Sequence, residues 1–423
     1  MPGRTAIEPN AAKTVSQGLP LAGLRVVEFS HMVMGPSSGL VLGDLGADVI
    51  KIEPIGMGDN TRRLTGSGAG YFPAFNRNKR SLALDLKNPK AIAFVKRLIA
   101  RSDVVTENFR PGGLEAMGLG YEALKTDNPG LIYAQLKGFL SGPYENRAAL
   151  DEVVQMMGGL AYMTGPPGRP LRAGASVNDV MGGMFAVIGI LAALRERERT
   201  GKGQHIKSAL FENTAFLVSP HMAQFAVTEK PVAPMPARTA AWAVYDVFES
   251  QDDLPVFIGI VSDTQWRAFC NEYSRPDLFA DPALATNAQR VAARDTLMPE
   301  LRQLFKRLTR DEISAKCERA RLSFAPVSTP EDLFDDPHLA SPGAMVSVTL
   351  PEGGALRMPA LPLEMAGQRF GLRHDIPRVG EHGTEIAEEL GLSANDIAEL
   401  RADGVLGGAA PPRTETDTLP HRK

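Results

Sequence analysis

The sequence predicts an α/β protein: a large domain built on a parallel sheet, with a smaller α+β domain inserted into it. Three observations carry this. Residues 24–29, 39–45 and 48–53 read as strand, helix and strand, the pattern of a βαβ unit. Strand and helix patterns keep alternating to residue 225. Composition then shifts, because Pro231, Pro234 and Pro236 mark a linker and paired strands followed by helices come after it. At 423 residues the chain exceeds one ordinary core, which also argues for two domains.

Taken in order, residues 1–20 read as a tail, polar and without the apolar run of a secretory signal. The large domain is expected over 21–225. Its first strand, 24–29, leads into Ser30-His-Met-Val-Met-Gly-Pro-Ser-Ser. The glycines near Gly35 lack the G-x-G-x-x-G spacing, so a nicotinamide dinucleotide site is not supported. A glycine loop at 56–63 and Phe75-Asn-Arg-Asn-Lys-Arg-Ser81 precede a strand at 82–85. Their basic side chains either hold phosphates or belong to a solvated loop. A helix at 89–100 and a strand at 102–106 run into Glu107-Asn-Phe-Arg-Pro-Gly-Gly113. Residues 114–124 read as helix, and a strand at 131–136 ends in Lys137-Gly138-Phe139. Loops beyond strand carboxyl ends are where open α/β sheets bind ligands. A strand at 204–210 and a helix at 211–225 close this part.

The smaller domain is expected over 226–335, with strands at 240–248 and 256–261 and helices at 264–272, 286–308 and 310–320. Residues 336–405 return to the large domain, with short strands at 344–350 and 356–362 and helices at 384–391 and 393–402. Residues 406–423 read as a second tail.

The segment with the clearest chemical reading is Arg169 to Asp179 and the apolar run 181–194 after it. Met184, Val187, Ile188, Leu191 and Leu194 fall on one face at helical spacing. Arg195-Glu-Arg-Glu-Arg-Thr-Gly201 supplies cations and a glycine stop at the end. Asp179 is expected one or two residues before the first helical turn. There it either caps the helix or serves as a carboxylate nucleophile held against an acyl thioester. The apolar run is too short to span a bilayer. A net charge of −3 provides no basic field for nucleic acid or anionic membrane. Cys270 and Cys317 form no disulfide framework, and seven scattered histidines make no metal site, so no metal is expected. A cytoplasmic, reducing setting is expected.

These features together resemble the class III coenzyme A-transferases, the formyl-CoA transferase and carnitine CoA-transferase family, from about residue 21 to 405. The resemblance rests on Gly43-Asp-Leu-Gly-Ala-Asp-Val-Ile-Lys-Ile-Glu53, Gly58-Asp59 with Arg62, Asn78-Lys-Arg-Ser81, Glu107-Asn-Phe with Pro111-Gly112, Lys137-Gly138, Asp179, Thr200-Gly-Lys-Gly-Gln204 and Gly380-Glu-His382. It implies a Rossmann-like large domain and a homodimer of interlocked rings. It implies acyl-CoA as substrate, with no tightly bound cofactor, and Asp179 as the nucleophile that becomes an aspartyl-CoA thioester. It places Asn108, Phe109 and Arg110 in the CoA loop, Lys137 near the phosphates, and Asn78, Lys79, Arg80 and Arg62 at the adenosine end. His31, Val33 and Met34 are expected at the mouth, and Phe139 and Gln155 near the acyl pocket. Arg147 and Arg172, with Arg169 and Arg238, are candidates for a substrate's second carboxylate.

Three departures refine the resemblance. Val33 stands where the formyl-CoA transferase branch has glutamine. The glycine-run lid of that branch is replaced by Gly259-Ile-Val-Ser-Asp-Thr-Gln265, with a single glycine. Pro54 and Ala116 stand at positions of CoA-contacting arginines, so Arg62, Arg63, Arg77 or Arg110 must take over. A succinyl-CoA-using branch acting on a small dicarboxylate fits the Val33 departure and the arginine-rich stretch from Gly165 to Arg172. Two alternatives are an α-methylacyl-CoA racemase and a non-catalytic acyl-CoA binder. Leu150 occupies the racemase's histidine position, which removes the second base.

Overall fold

The computed structural model describes residues 18–238 and 241–408. The expected tails therefore lie largely outside the described residues. The chain divides into two compact units. One comprises the described residues through Pro236 together with those from Ala340 onward, and the other is Ala237–Leu339.

The first unit is built on six strands: β1 (Arg25–Phe29), β2 (Asp48–Glu53), β3 (Lys79–Ala83), β4 (Val104–Glu107), β5 (Ile132–Lys137) and β6 (His205–Ala209). They form one sheet in the order β3-β2-β1-β4-β5-β6, every pair parallel. This order places a topological switch between β1 and β4, the standard ligand crevice of a doubly wound sheet. Both faces are covered, so β1 to β5 are buried almost throughout, while the edge strand β6 is buried only at Ser208 and Ala209.

Five helices matter for the site: α1 (Met34–Asp44), α2 (Pro89–Ile99), α3 (Asp151–Met157), α4 (Val177–Thr200) and α5 (Leu210–Thr228). Asn88 caps α2 by accepting the Lys90 N–H, with Pro89 at the first helical position. The apolar face of α2 (Phe94, Val95, Leu98) joins a core that also holds Val27, Ile50, Leu82 and Val105. Ile386, Leu390, Val405 and Leu406 enter the same core from the far end of the chain. The single helix read at 114–124 is in fact two short helices, Gly113–Ala116 and Tyr121–Leu124, interrupted at Gly118 with φ 69°.

Helix α4 is longer than its apolar run. It begins at Val177 and ends at Gly201, which takes the left-handed conformation. By length and composition alone it would be able to cross a membrane, so the shortness of 181–194 excludes nothing. Packing accounts for part of its apolar character, since Val187, Ile190 and Ala193 share a core with Leu42, Leu45 and Val49, whereas Met184, Ile188 and Leu191 are exposed. The two helices run side by side in parallel. A Cβ at Gly183 would lie 2.1 Å from Ser37 Oγ and 2.8 Å from the Met34 carbonyl, and one at Gly182 would lie 2.4 Å from Met34 Cε. These two glycines set the approach of α4 to α1.

The second unit holds an antiparallel sheet of β7 (Val244–Glu249), β8 (Pro255–Ile260) and β9 (Ser323–Pro326), in that order. β9 is a strand that the sequence reading does not contain. Its core gathers Phe248, Trp266, Phe269, Leu301, Phe305 and Cys317. Gly259 lies inside β8, and Ser262 caps the helix Asp263–Glu272, so the segment that replaces the glycine lid is regular structure.

Gly183→Ala forces backbone atoms of α1 outward. The expected result is a loss of about 1–3 kcal/mol, read by urea denaturation at constant m-value.

Candidate active site

The carboxyl ends of β1 and β4 meet at the switch point. The loop after β1 carries His31, and the loop after β4 carries Asn108. The Asn108 side chain accepts the His31 N–H at 3.0 Å and donates to the His31 carbonyl at 2.8 Å. Phe109 stands edge-on to both Phe29 and His31. His31 thus lies at an exposed rim fixed from both sides. Partial burial lowers its pKa, opposed by the Asp59 carboxylate. Val33 and Met34 do not line a mouth. Both are buried, Met34 in a cluster with Leu136, Phe139, Val154 and Leu210. Phe139 is likewise buried, against Tyr144 and Phe211.

Asp179 is the third residue of α4, not a residue ahead of it. It lies one turn before Gly183, the glycine that meets Met34 and Ser37 of α1. Its side chain does not cap the helix. The cap residue Ser176 provides no side-chain hydrogen bond either. Instead, Asp151 Oδ2 accepts the N–H groups of Asn178 at 2.9 Å and Asp179 at 3.0 Å. Gln155 is fully buried and donates to Asp151 Oδ1, so it serves this network and not an acyl pocket.

Burial is the main reason that the Asp179 carboxyl is pushed up to about 7, with the neighbouring Asp151 and Glu152 carboxylates adding to the rise. Arg172 opposes them. It pairs with Glu152 and donates to the Ala173 carbonyl at 3.0 Å. An ordinary aspartate would be fully ionised at neutral pH; burial and the two neighbouring carboxylates oppose that here.

The basic run before β3 faces inward. Lys79 is fully buried against Glu28 at 2.9 Å, and Asn78 donates to Asp44 at 2.8 Å. Arg77 pairs with Asp44, Arg80 with Asp48 and Glu389, and Arg62 with Glu53. The arrangement expected at the adenosine end is therefore corrected for Asn78, Lys79, Arg80 and Arg62, whose donors are already committed to protein groups. Arg63 and Arg110 remain exposed, and Lys137 is half-buried at the end of β5. Arg147 is exposed over the Tyr144 ring, and Arg169 is exposed as well. A cleft of about 560 Å³ lined by Arg25, Asp48, Arg80 and Glu389 opens at the amino ends of β1 and β2. That is the edge opposite these loops, and its Arg25 and Arg80 are paired with Asp48 and Glu389.

Asp151, Glu152 and Asn178 are the site residues that sequence reasoning passes over. The one available signal was the Asp151–Gln155 spacing of four on a short helix. Nothing local indicates that this pair reaches the start of α4. Among the described residues no group of three or more His, Cys, Asp or Glu is placed to hold a metal ion.

Comparison with known proteins points one way. The profile of CoA-transferase family III matches residues 21–383. A succinate–glutarate CoA-transferase of Agrobacterium fabrum is 34% identical over 388 residues, covering 88% of this chain and 96% of that protein. A succinyl-CoA–D-citramalate CoA-transferase of Chloroflexus aurantiacus is 32% identical, covering 92% and 98%. The crystal structure of a CaiB/BaiF family protein from Brucella suis superposes with a TM-score of 0.79 at 35% identity, covering 88% of this chain and all of that one.

Asp179 binds a proton between its ordinary value of 3.8 and about 7, where the unfolded chain has already lost it. The stability that this residue contributes is thus present at low pH and lost as pH rises through about 7. Asp179→Asn removes the buried charge. Its melting temperature relative to wild type should rise from pH 5 to pH 8 in differential scanning calorimetry; a constant difference would contradict the assignment.

Proposed function

The chain belongs to CoA-transferase family III, and on that premise we propose that it moves CoA from succinyl-CoA to a small dicarboxylic acid through an aspartyl-CoA thioester on Asp179. The observation that carries this is the position of Asp179: a part-buried carboxylate in the first turn of α4, whose own N–H is taken by Asp151 while its side chain caps nothing. The names of the relatives supply the donor and the class of acceptor.

In this reading an Asp179 oxygen attacks the thioester carbon of succinyl-CoA. The C–S bond breaks, CoA leaves as thiolate, and a mixed anhydride forms. The thiolate then attacks the Asp179 carbonyl carbon and releases succinate. The acceptor carboxylate attacks the resulting aspartyl-CoA thioester, and the thiolate returns to the acceptor's acyl carbon, regenerating the Asp179 carboxylate. Each step exchanges one acyl bond for another, so the thioester energy is retained if water is excluded. A half-protonated Asp179 makes the rate rise with pH through about 7. Arg110 and Lys137 are assigned to the CoA phosphates, and Arg147, exposed over the Tyr144 ring, to the second carboxylate of the acid. Leu150 is 65% exposed at the start of α3 and offers no base for racemisation. Both cysteines are free and buried, in keeping with a reducing compartment.

A second copy of the chain is part of the proposal. Phe216 and Phe225 on α5 and Ile188 on α4 are each more than half exposed, as expected of a face covered in an interlocked homodimer.

Mass spectrometry after incubation with succinyl-CoA tests the reading. A CoA adduct is expected on the peptide containing Asp179, removed by hydroxylamine and absent in Asp179→Ala. Under native conditions the intact species should carry twice the chain mass. No adduct with any acyl-CoA, together with α-proton exchange in deuterated water, would move the protein to the isomerases. In steady-state assays Arg147→Gln should raise KM about tenfold for the acid and for succinyl-CoA, which carries the same free carboxylate. An unchanged KM in both would remove the dicarboxylate assignment.

A further inference from the structure

Asp151 is the first residue of α3, and its side chain is buried. One of its oxygens accepts both the Asn178 and Asp179 N–H groups, and the other accepts from Gln155. The Gln155 amide oxygen in turn accepts the Ala173 N–H at 2.8 Å. One carboxylate and one amide therefore tie down backbone on both sides of the turn that delivers Asp179. Helix starts leave N–H groups unsatisfied unless a side chain covers them. Here the cap comes from a different helix and is charged, where a serine or threonine would have been neutral.

The charge has a use in the reaction proposed above, and the inference rests on that reading. Two like charges sit at the start of α4 before the first step. When an Asp179 oxygen bonds to the thioester carbon and the C–S bond breaks, the negative charge leaves on the CoA sulfur. The repulsion is present in the resting carboxylate and relieved in the anhydride, so it favours acylation. The charged groups acting on Asp179 are Asp151 and Glu152 of α3 and Arg172. Glu152 is neutralised by its pair with Arg172, whereas Asp151 has no ion-pair partner among the described residues.

We propose that Asp151 is the positioning residue of the nucleophile: it fixes the first turn of α4 through two backbone N–H groups and holds beside Asp179 a negative charge that acylation relieves, with Gln155 locking its orientation.

The test compares Asp151→Asn, Asp151→Ala and the double variant Asp151→Asn with Gln155→Glu. Asp151→Asn keeps an oxygen for the two N–H groups and removes the charge. Its kcat should fall about tenfold, its KM for succinyl-CoA should stay within about twofold, and the acidic limb of kcat/KM should move down by about one pH unit. Adding Gln155→Glu returns a charge one side chain further away and should restore part of both. Asp151→Ala also loses the cap, and kcat should fall about 100-fold. If Asp151→Ala does not fold, Asp151→Asn carries the test. An Asp151→Asn protein with wild-type kcat and an unmoved acidic limb overturns the proposal, as does a loss confined to KM or to melting temperature. A wild type that forms the Asp179 adduct, beside an Asp151→Asn variant that forms it at the same rate, defeats this proposal alone. A wild type with no adduct from any acyl-CoA defeats the Asp179 reading first.

Discussion

Glu28, Lys51 and Lys79 are fully buried side by side on β1, β2 and β3, and the position of the loops above them depends on that contact. Lys51 also donates to the Ser30 carbonyl at 2.7 Å and pairs with Asp59 at 3.0 Å, while Lys79 donates to the Pro36 carbonyl at 2.9 Å. Three charges thus pin the loop after β1, the loop after β2 and the first turn of α1. Gly39 is part of the same arrangement, because a Cβ there would lie 1.7 Å from Glu28 Oε2. Taking such ions out of water is expensive, and removing one partner from a buried pair costs about 3–5 kcal/mol. The cost is visible in Lys79, whose ammonium is lowered to about 8 chiefly by burial, despite Glu28. Close packing follows from this anchor: α1 is held by its first turn, and α4 lies against α1 through Gly182 and Gly183.

The nucleophile is placed by a second, smaller set of polar contacts. Asp179 sits in a helical turn whose free N–H groups are taken by another carboxylate, so its own side chain is left unused by the fold. This separates positioning from reaction. Family membership says that CoA is transferred between acids; the local geometry explains how a carboxylate remains available for it.

The parallel sheet was legible because its strands are short apolar runs in regular alternation with helices, and β2 falls where periodicity puts it. Asp179 was legible as a carboxylate at the start of an apolar helix, although its exact place in the first turn was not. The basic run from Arg77 to Arg80 misled for a physical reason. Its partners, Asp44, Asp48, Glu28 and Glu389, lie far off in the chain, and three cations in four residues look solvated until those carboxylates are found. The ionisation of Asp179 was hidden in the same way, since Asp151 and Glu152 reach it only through the fold. Strand β9 escaped because Ser323–Pro326 is short, part-polar and ends in proline.

The core of the first unit is closed by residues from both sides of the inserted segment. Leu84 bridges to Leu406, the Gly407 N–H donates to the Ala83 carbonyl at 2.9 Å, and Ile386 and Leu390 pack beside Leu82 and Leu98. During synthesis β1 to β6 leave the ribosome well before these groups exist as polymer. The sheet must wait with one flank uncovered while Ala237–Leu339 is made, a stretch with its own core and its own sheet. Order of emergence thus assigns a time to each part: the insert is free to fold when it appears, and the older strands complete their burial only when residues 386–407 arrive.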